Sequence, residues 1–200
     1  MIRTTLAIAT FLAGTTLAIA APEIGKPAPA FTGVDSNGKT HTLADFKGKT
    51  VILEWTNDGC PYVKKHYGAG NMQKIQKDLT AEGAVWLSVI SSAPGKQGHV
   101  DGKGANALVA AQGSAPTAVL LDPKGTIGRA YEAQTTPHMY VIDGKGVLRY
   151  MGAIDDKPST DAATIPGARN YVREAFAAVK SGKPVEVAAT DPYGCAVKYP

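Results

Sequence analysis

Cysteine is scarce in this chain. Only Cys60 and Cys195 occur in 200 residues. No Cys-x-x-Cys or Cys-x-x-x-Cys pair is present, so the close thiolate spacing of a soft-metal site is missing. Long basic blocks are missing too. The lysines are spread along the chain without interleaved aromatics, and the formal charge is only +4. That distribution points to a soluble basic protein with no nucleic-acid partner. Beyond residue 20 no apolar run is long enough to span a bilayer. Nothing repeats internally, and nothing marks a second domain.

What is present begins with an export signal. Arg3 supplies a positive start, Leu6 to Leu17 is apolar and rich in small residues, and Ala18-Ile19-Ala20 fits an A-x-A cleavage site. Residues 1–20 therefore read as a signal peptide, with an uncleaved anchor as the alternative. The charge falls from +4 to +3 when Arg3 leaves. The expected location is the periplasm or the exterior, with no membrane contact after cleavage. Residues 21–184 read as one domain and 185–200 as a tail carrying Cys195. An oxidising compartment permits a disulfide between the two cysteines. A mature chain of this length can build a full core without a staple, so such a bond would serve redox chemistry rather than stability.

The chain is organised around Val51-Ile52-Leu53-Glu54-Trp55-Thr56-Asn57-Asp58-Gly59-Cys60-Pro61. An apolar run reads as a buried strand and breaks at the turn cluster 57–59. Cys60 follows, then a proline at the first helical position, where a missing N–H costs nothing. Cys60 is thus expected at or beside the N-cap. The helix dipole, with the ammonium groups of Lys64 and Lys65, would favour its thiolate. The competing reading is a buried structural cysteine.

Other elements follow from period and punctuation. Ala30 to Val34, Asn37-Gly38 and Lys39 to Leu43 predict a hairpin. After a break at Gly68-Ala69-Gly70, Asn71 is the expected N-cap of a helix bearing Met72, Ile75 and Leu79. Ala84 to Ile90 is a second buried strand, and the crossover makes the pair parallel. Residues 92–104 read as a loop. A short helix over about 105–112 follows, then a strand over 118–121 and a helix capped by Thr126. Thr135 to Gly152 reads as a strand, a Gly-containing turn and a second strand, an antiparallel hairpin with Pro137 just before its first strand. The last helix carries Ala168, Tyr171, Val172, Ala175, Phe176 and Val179 as one apolar stripe.

This order resembles the thioredoxin-like fold: an α/β protein with a central mixed β-sheet flanked by helices and an N-terminal β-hairpin extension. The lead-in Gly25-Lys26-Pro27-Ala28-Pro29-Ala30-Phe31 is similar to the redoxin branch. The run from Leu53 through Cys60-Pro61-Tyr62-Val63-Lys64-Lys65-His66-Tyr67, with the tail Gly194-Cys195-Ala196-Val197-Lys198-Tyr199, resembles an exported, peroxiredoxin-like, AhpC/TSA-related subgroup. The resemblance covers nearly the whole mature chain. It implies that Cys60 matches the first cysteine of the thioredoxin pair, with Val63 in the slot of the second. Glu54 matches the buried carboxylate that moves protons for the active-site thiols, a task that a raised pKa would suit. The alternative is a Glu54 that satisfies buried backbone or faces solvent. Thr136-Pro137 matches the Thr-cis-Pro that faces the reactive cysteine, with the Thr136 backbone free to pair with a substrate strand.

The function implied is thiol–disulfide exchange through a Cys60 thiolate on a thiol or disulfide protein partner, without a cofactor. Cys195 is the internal candidate to resolve it, through a tail folded over the Cys60 helix; a permanent bond or a free thiol is the alternative. A second reading is a thiol peroxidase. Peroxiredoxins carry Pro-x-x-x-Thr-x-x-Cys, whereas Leu53 and Asn57 stand in the Pro and Thr slots here, and Thr136-Pro137-His138 replaces the helper arginine. A third reading is a copper-binding protein or metallochaperone using Cys60, His66 and His138.

Overall fold

The computed structural model describes residues 21–200. The signal peptide expected over residues 1–20 lies outside the described residues. Among these, no helix is long and apolar enough to cross a membrane.

The Asn37-Gly38 turn joins β1 (Thr32–Asp35) to β2 (Thr40–Thr42) as an antiparallel hairpin. Gly38 supplies the positive φ, +82°, that the turn needs. β3 (Val51–Trp55) is buried at every position. The apolar run therefore marks a central strand, and the sheet order β2-β1-β5-β4-β3-β7-β8 places it inside. β3 lies parallel to β4 (Val85–Ile90), and β4 parallel to β5 (Ala118–Leu121). A two-residue β6 (Thr135–Thr136) precedes β7 (His138–Ile142), which runs antiparallel to β3 and to β8 (Leu148–Gly152). The hairpin β1–β2 joins the far edge through β5. The sheet is mixed and flanked by helices, and the fold is thioredoxin-like.

Alternation along β3 divides the core. Val51, Leu53 and Trp55 pack with Phe31, Ile127 and Tyr131 on one face. Ile52 packs on the other face with Cys60 and Val63 of the first helical segment, Met72, Ile75 and Leu79 of the second, and Val172 and Phe176 of the last. Each fully buried side chain of this size contributes roughly 2 kcal/mol. Glu54 alternates onto the second face, among the helices.

Among the described residues five α-helices complete the layers: α1 (Pro61–Gly68), α2 (Asn71–Ala81), α3 (Gly102–Gln112), α4 (Thr126–Ala130) and α5 (Tyr171–Lys180). Several starts differ from expectation. Asn71 does not cap α2; Gly70 does, at φ +71°, and the Asn71 amide turns to His66. Gly125, not Thr126, caps α4. α3 begins inside the stretch read as a loop. Asp101 accepts the Gly104 N–H at 2.7 Å, a cap that neighbouring glycines of low helix propensity concealed. α5 starts at Tyr171 because Asn170 accepts the Arg173 N–H. Ala168 falls before it, at the end of a 3-10 turn.

The chain after α5 is pinned along its length. The Thr190 hydroxyl takes the Ala153 N–H, and Met151 exchanges backbone hydrogen bonds with Ala188 and Thr190. The tail ends in β9 (Cys195–Ala196), antiparallel to β6. Past β9, the Val197 N–H donates to Gln134, Lys198 accepts from Ala93, and the Tyr199 hydroxyl donates to the Ala133 carbonyl.

Candidate active site

Cys60 is the N-cap of α1, with Pro61 as the first helical residue. The turn before it is held by Asn57. Its carbonyl accepts the Cys60 N–H, its side-chain oxygen the Gly59 N–H, and its amide donates to the Gln97 carbonyl. Asn57 thereby closes the approach loop and ties the 92–104 segment to the cysteine turn.

Cys60 is bonded to Cys195, 135 residues away, with Cα atoms 5.9 Å apart. The register places Cys195 opposite Thr136, whose peptide bond to Pro137 is cis. Cys60 Sγ lies 3.1 Å from the Thr136 carbonyl oxygen, which a reduced thiol could use as acceptor. The Thr136 backbone is therefore not free, as the resemblance implied. Its edge is occupied by the chain's own tail. The Thr136 hydroxyl reinforces the pairing by donating to the Cys195 carbonyl at 3.4 Å.

Glu54 is fully buried and neither faces solvent nor serves backbone groups. Four side chains donate to its carboxyl: Tyr67 at 2.8 Å, Trp86 at 2.8 Å, Ser88 at 3.0 Å and Gln76 at 3.2 Å. Burial raises its pKa, and the four hydrogen bonds pull it partly back. Replacing Glu54 with leucine would strand these donors at roughly 1–3 kcal/mol each. Glu54→Leu is therefore expected to lose several kcal/mol in urea unfolding. Glu54→Gln, which keeps an acceptor for Trp86, should lose less than half of that.

The structure does not bring Lys65 to the thiol. Its ammonium is buried, 3.0 Å from the Lys157 carbonyl and 4.0 Å from Asp155; Lys64 is exposed. Cys60, His66 and His138 do not converge either. The Gln134 N–H and the Tyr140 hydroxyl both approach His138 Nδ1 at 3.2 Å. His66 Nδ1 faces the Asn71 amide at 2.8 Å, and Nε2 faces the Tyr193 hydroxyl at 3.3 Å. Among the described residues no group of three His, Cys, Asp or Glu is placed to hold a metal.

Sequence reasoning missed the anchor of the tail. The Tyr193 hydroxyl donates to Asp155 at 2.5 Å, its ring lies 5.7 Å from that of Tyr62, and the Lys65 ammonium sits 5.8 Å from its centre. Hydrogen bonds run in one direction, from Asn71 through His66 and Tyr193 to Asp155. Tyr193 precedes Cys195 by two residues, so this chain of bonds holds the cysteine in place. The one available signal was an aromatic beside Gly194-Cys195. Tyr193→Phe is expected to leave the fold intact and make the bond easier to reduce, by about 30 mV for a tenfold drop in effective concentration. Equilibration with a glutathione buffer would measure it.

The model of the AhpC/TSA family matches residues 24–151. The chain belongs to the AhpC/TSA family. Members of this thioredoxin-like family are thiol-dependent oxidoreductases. The Thioredoxin-like protein YneN of Bacillus subtilis (strain 168) is 29% identical over 125 residues, 62% of this chain and 68% of the relative. Among solved structures, a hypothetical protein, SMc02350, from Sinorhizobium meliloti 1021 superposes with a TM-score of 0.75 at 24% identity. That match covers 89% of this chain and 95% of the other. A thiol:disulfide interchange protein from Bacteroides sp. gives 0.52 at 21% identity, over 73% and 88% of the two chains. These likenesses are of fold. Within the AhpC/TSA frame, Cys60, Glu54, Thr136 and Pro137 lie in the matched region, whereas Asp155, Tyr193 and Cys195 lie beyond it.

Proposed function

We propose that this protein is an exported thiol–disulfide oxidoreductase whose working pair is Cys60 and Cys195. The observation that carries the reading is the pairing itself. One cysteine caps a helix behind a buried strand, and the other sits on a short strand laid against Thr136. Opening the bond leaves one sulfur with the electron pair. At Cys60 that charge meets the positive end of α1. Glu54, on the adjacent strand and protonated more readily than a free carboxyl, is the group that handles protons during the cycle, and Thr136-Pro137 presents the edge that holds Cys195. The redox partner is a protein thiol or disulfide. Residues 1–20 are a leader directing the chain to the periplasm or beyond, residues 21–184 the redoxin domain, and residues 185–200 a tail whose task is to deliver Cys195.

The test is a thiol count with an alkylating mass tag across a series of redox buffers, without denaturant until after the quench. Both thiols are expected to appear together under mild dithiol buffers and to vanish on re-oxidation. Reduction of a model protein disulfide should be lost in Cys60→Ser and Cys195→Ser. A bond that stays closed in the folded protein under strong dithiol would make it a structural staple and end this reading.

A further inference from the structure

We infer that Cys195, not Cys60, is the sulfur that exchanges with the outside partner, and that Cys60 is the internal leaving and resolving sulfur. The inference rests on the redox reading above and reverses the role that the resemblance gave Cys60.

Access decides it. Cys60 has no exposed surface, 0%, and packs among Ile52, Val63 and Tyr67 with Cys195 over it. Cys195 is only partly buried, and Ala196 beside it is exposed. A thiolate must reach a sulfur along the S–S axis to displace the other. In the docked state, Cys195 is the one within reach. Reaching Cys60 would require lifting the tail off its supports. These lie on both sides of Cys195: Thr190 on Ala153 and Tyr193 on Asp155 before it, then Val197 on Gln134 and Tyr199 on Ala133 after it. Each hydrogen bond lost in such an opening carries a cost; attack on Cys195 needs none of it.

Leaving-group chemistry points the same way. The outgoing sulfur should be the one where negative charge is better held. Cys60 at the N-terminus of α1 fits, since the helix places unpaired N–H groups and its positive end there. Once that sulfur has left and taken a proton, the Thr136 carbonyl oxygen, 3.1 Å from Sγ, is placed to accept from the thiol. In atoms, a partner thiolate forms a bond to Cys195 Sγ, the Cys195–Cys60 bond breaks, and the electron pair goes to Cys60 Sγ. A dithiol partner then attacks its own sulfur in the mixed disulfide with its second thiolate. It departs as a disulfide and leaves Cys195 as a thiolate that takes a proton from water. The reverse direction uses the same intermediate: Cys195 joined to the partner, with Cys60 thiolate closing the internal bond and releasing the partner thiol.

Trapping locates the intermediate without any substitution. The oxidised mature protein is mixed with glutathione, quenched in acid during the first turnover, and digested, and glutathione adducts are mapped on the two cysteine peptides. At the earliest times at least tenfold more adduct is expected on the Cys195 peptide than on the Cys60 peptide. Equal amounts, or an excess on Cys60, would overturn the inference while leaving the redox reading standing. A bond closed to glutathione and to every stronger dithiol would remove both.

Discussion

Replacing Gly194 with alanine is expected to uncouple the two cysteines. Gly194 sits at φ +148°, where L side chains are rarely found. A Cβ there would collide with the Thr136 carbonyl oxygen, with the Thr136 carbonyl carbon at 2.7 Å and Pro137 N at 3.3 Å behind it. All three are backbone atoms of the Thr136–Pro137 peptide at the end of β6, the strand that pairs with β9, so no side-chain rotation relieves the contact. The tail must move, and the next residue is Cys195. At fixed redox poise the ratio of closed to open bond should fall at least about a hundredfold, roughly 60 mV toward easier reduction. The bond closes a loop of 135 residues, and in the loop-entropy picture losing it costs about 5 kcal/mol. The melting temperature should therefore drop toward that of Cys195→Ser. A Gly194→Ala protein with a wild-type potential would show that β9 does not set the position of Cys195.

Acidification should destabilise the fold between pH 6.5 and about 4, through two buried histidines. Burial lowers His138 from 6.5 to about 4. It also lowers His66 to about 4, with Asp155 opposing and Lys65 assisting. Hydrogen bonding explains why neither accepts a proton easily. The Gln134 N–H already points at His138 Nδ1, and the Asn71 amide at His66 Nδ1. A proton on either Nδ1 would set donor against donor. The folded form thus binds fewer protons than the unfolded chain in this window. Stability is fully present above pH 6.5 and is lost as pH falls toward 4. At about 1.4 kcal/mol per pH unit, each histidine accounts for roughly 3 kcal/mol. Glu54 has the opposite sign. Its raised pKa adds stability as pH falls toward 4.5, offsetting part of the loss. Unfolding free energies from urea titrations at pH 7 and pH 4.5 should differ by a few kcal/mol, and His138→Gln should remove about half of the histidine contribution. Matching midpoints at the two pH values would mean that both rings titrate as free imidazoles do.

The two cases share a feature: the decisive partners are distant in the chain. Cys60 at the cap of α1 was legible because strand, turn, cysteine and proline act on one another within a few residues. So were the β3–β4 crossover, the stripe of α2 and the Asn-Gly hairpin. Errors in helix starts arose where a side chain had a better tertiary use, as with Asn71, taken by His66, or where glycines masked a capped start, as at Asp101. The Lys65 ammonium was expected at the thiol because only the distance along the helix was in view; Asp155 and the Lys157 carbonyl, some 90 residues on, claimed it.

By itself the sequence determined the fold class, the place of Cys60 at the N-cap of a helix and the presence of a second cysteine in the tail. Periodicity and capping are local forces, and they are written in neighbouring residues. Only the tertiary structure decided that the tail takes the Thr136 edge, that Tyr193 locks onto Asp155 and His66, that four donors enclose Glu54, and that Cys60 lies beneath Cys195. Each of these depends on which sheet edge and which helix face come together across tens of residues. No local spacing encodes that choice, because it is set by the packing of the whole core.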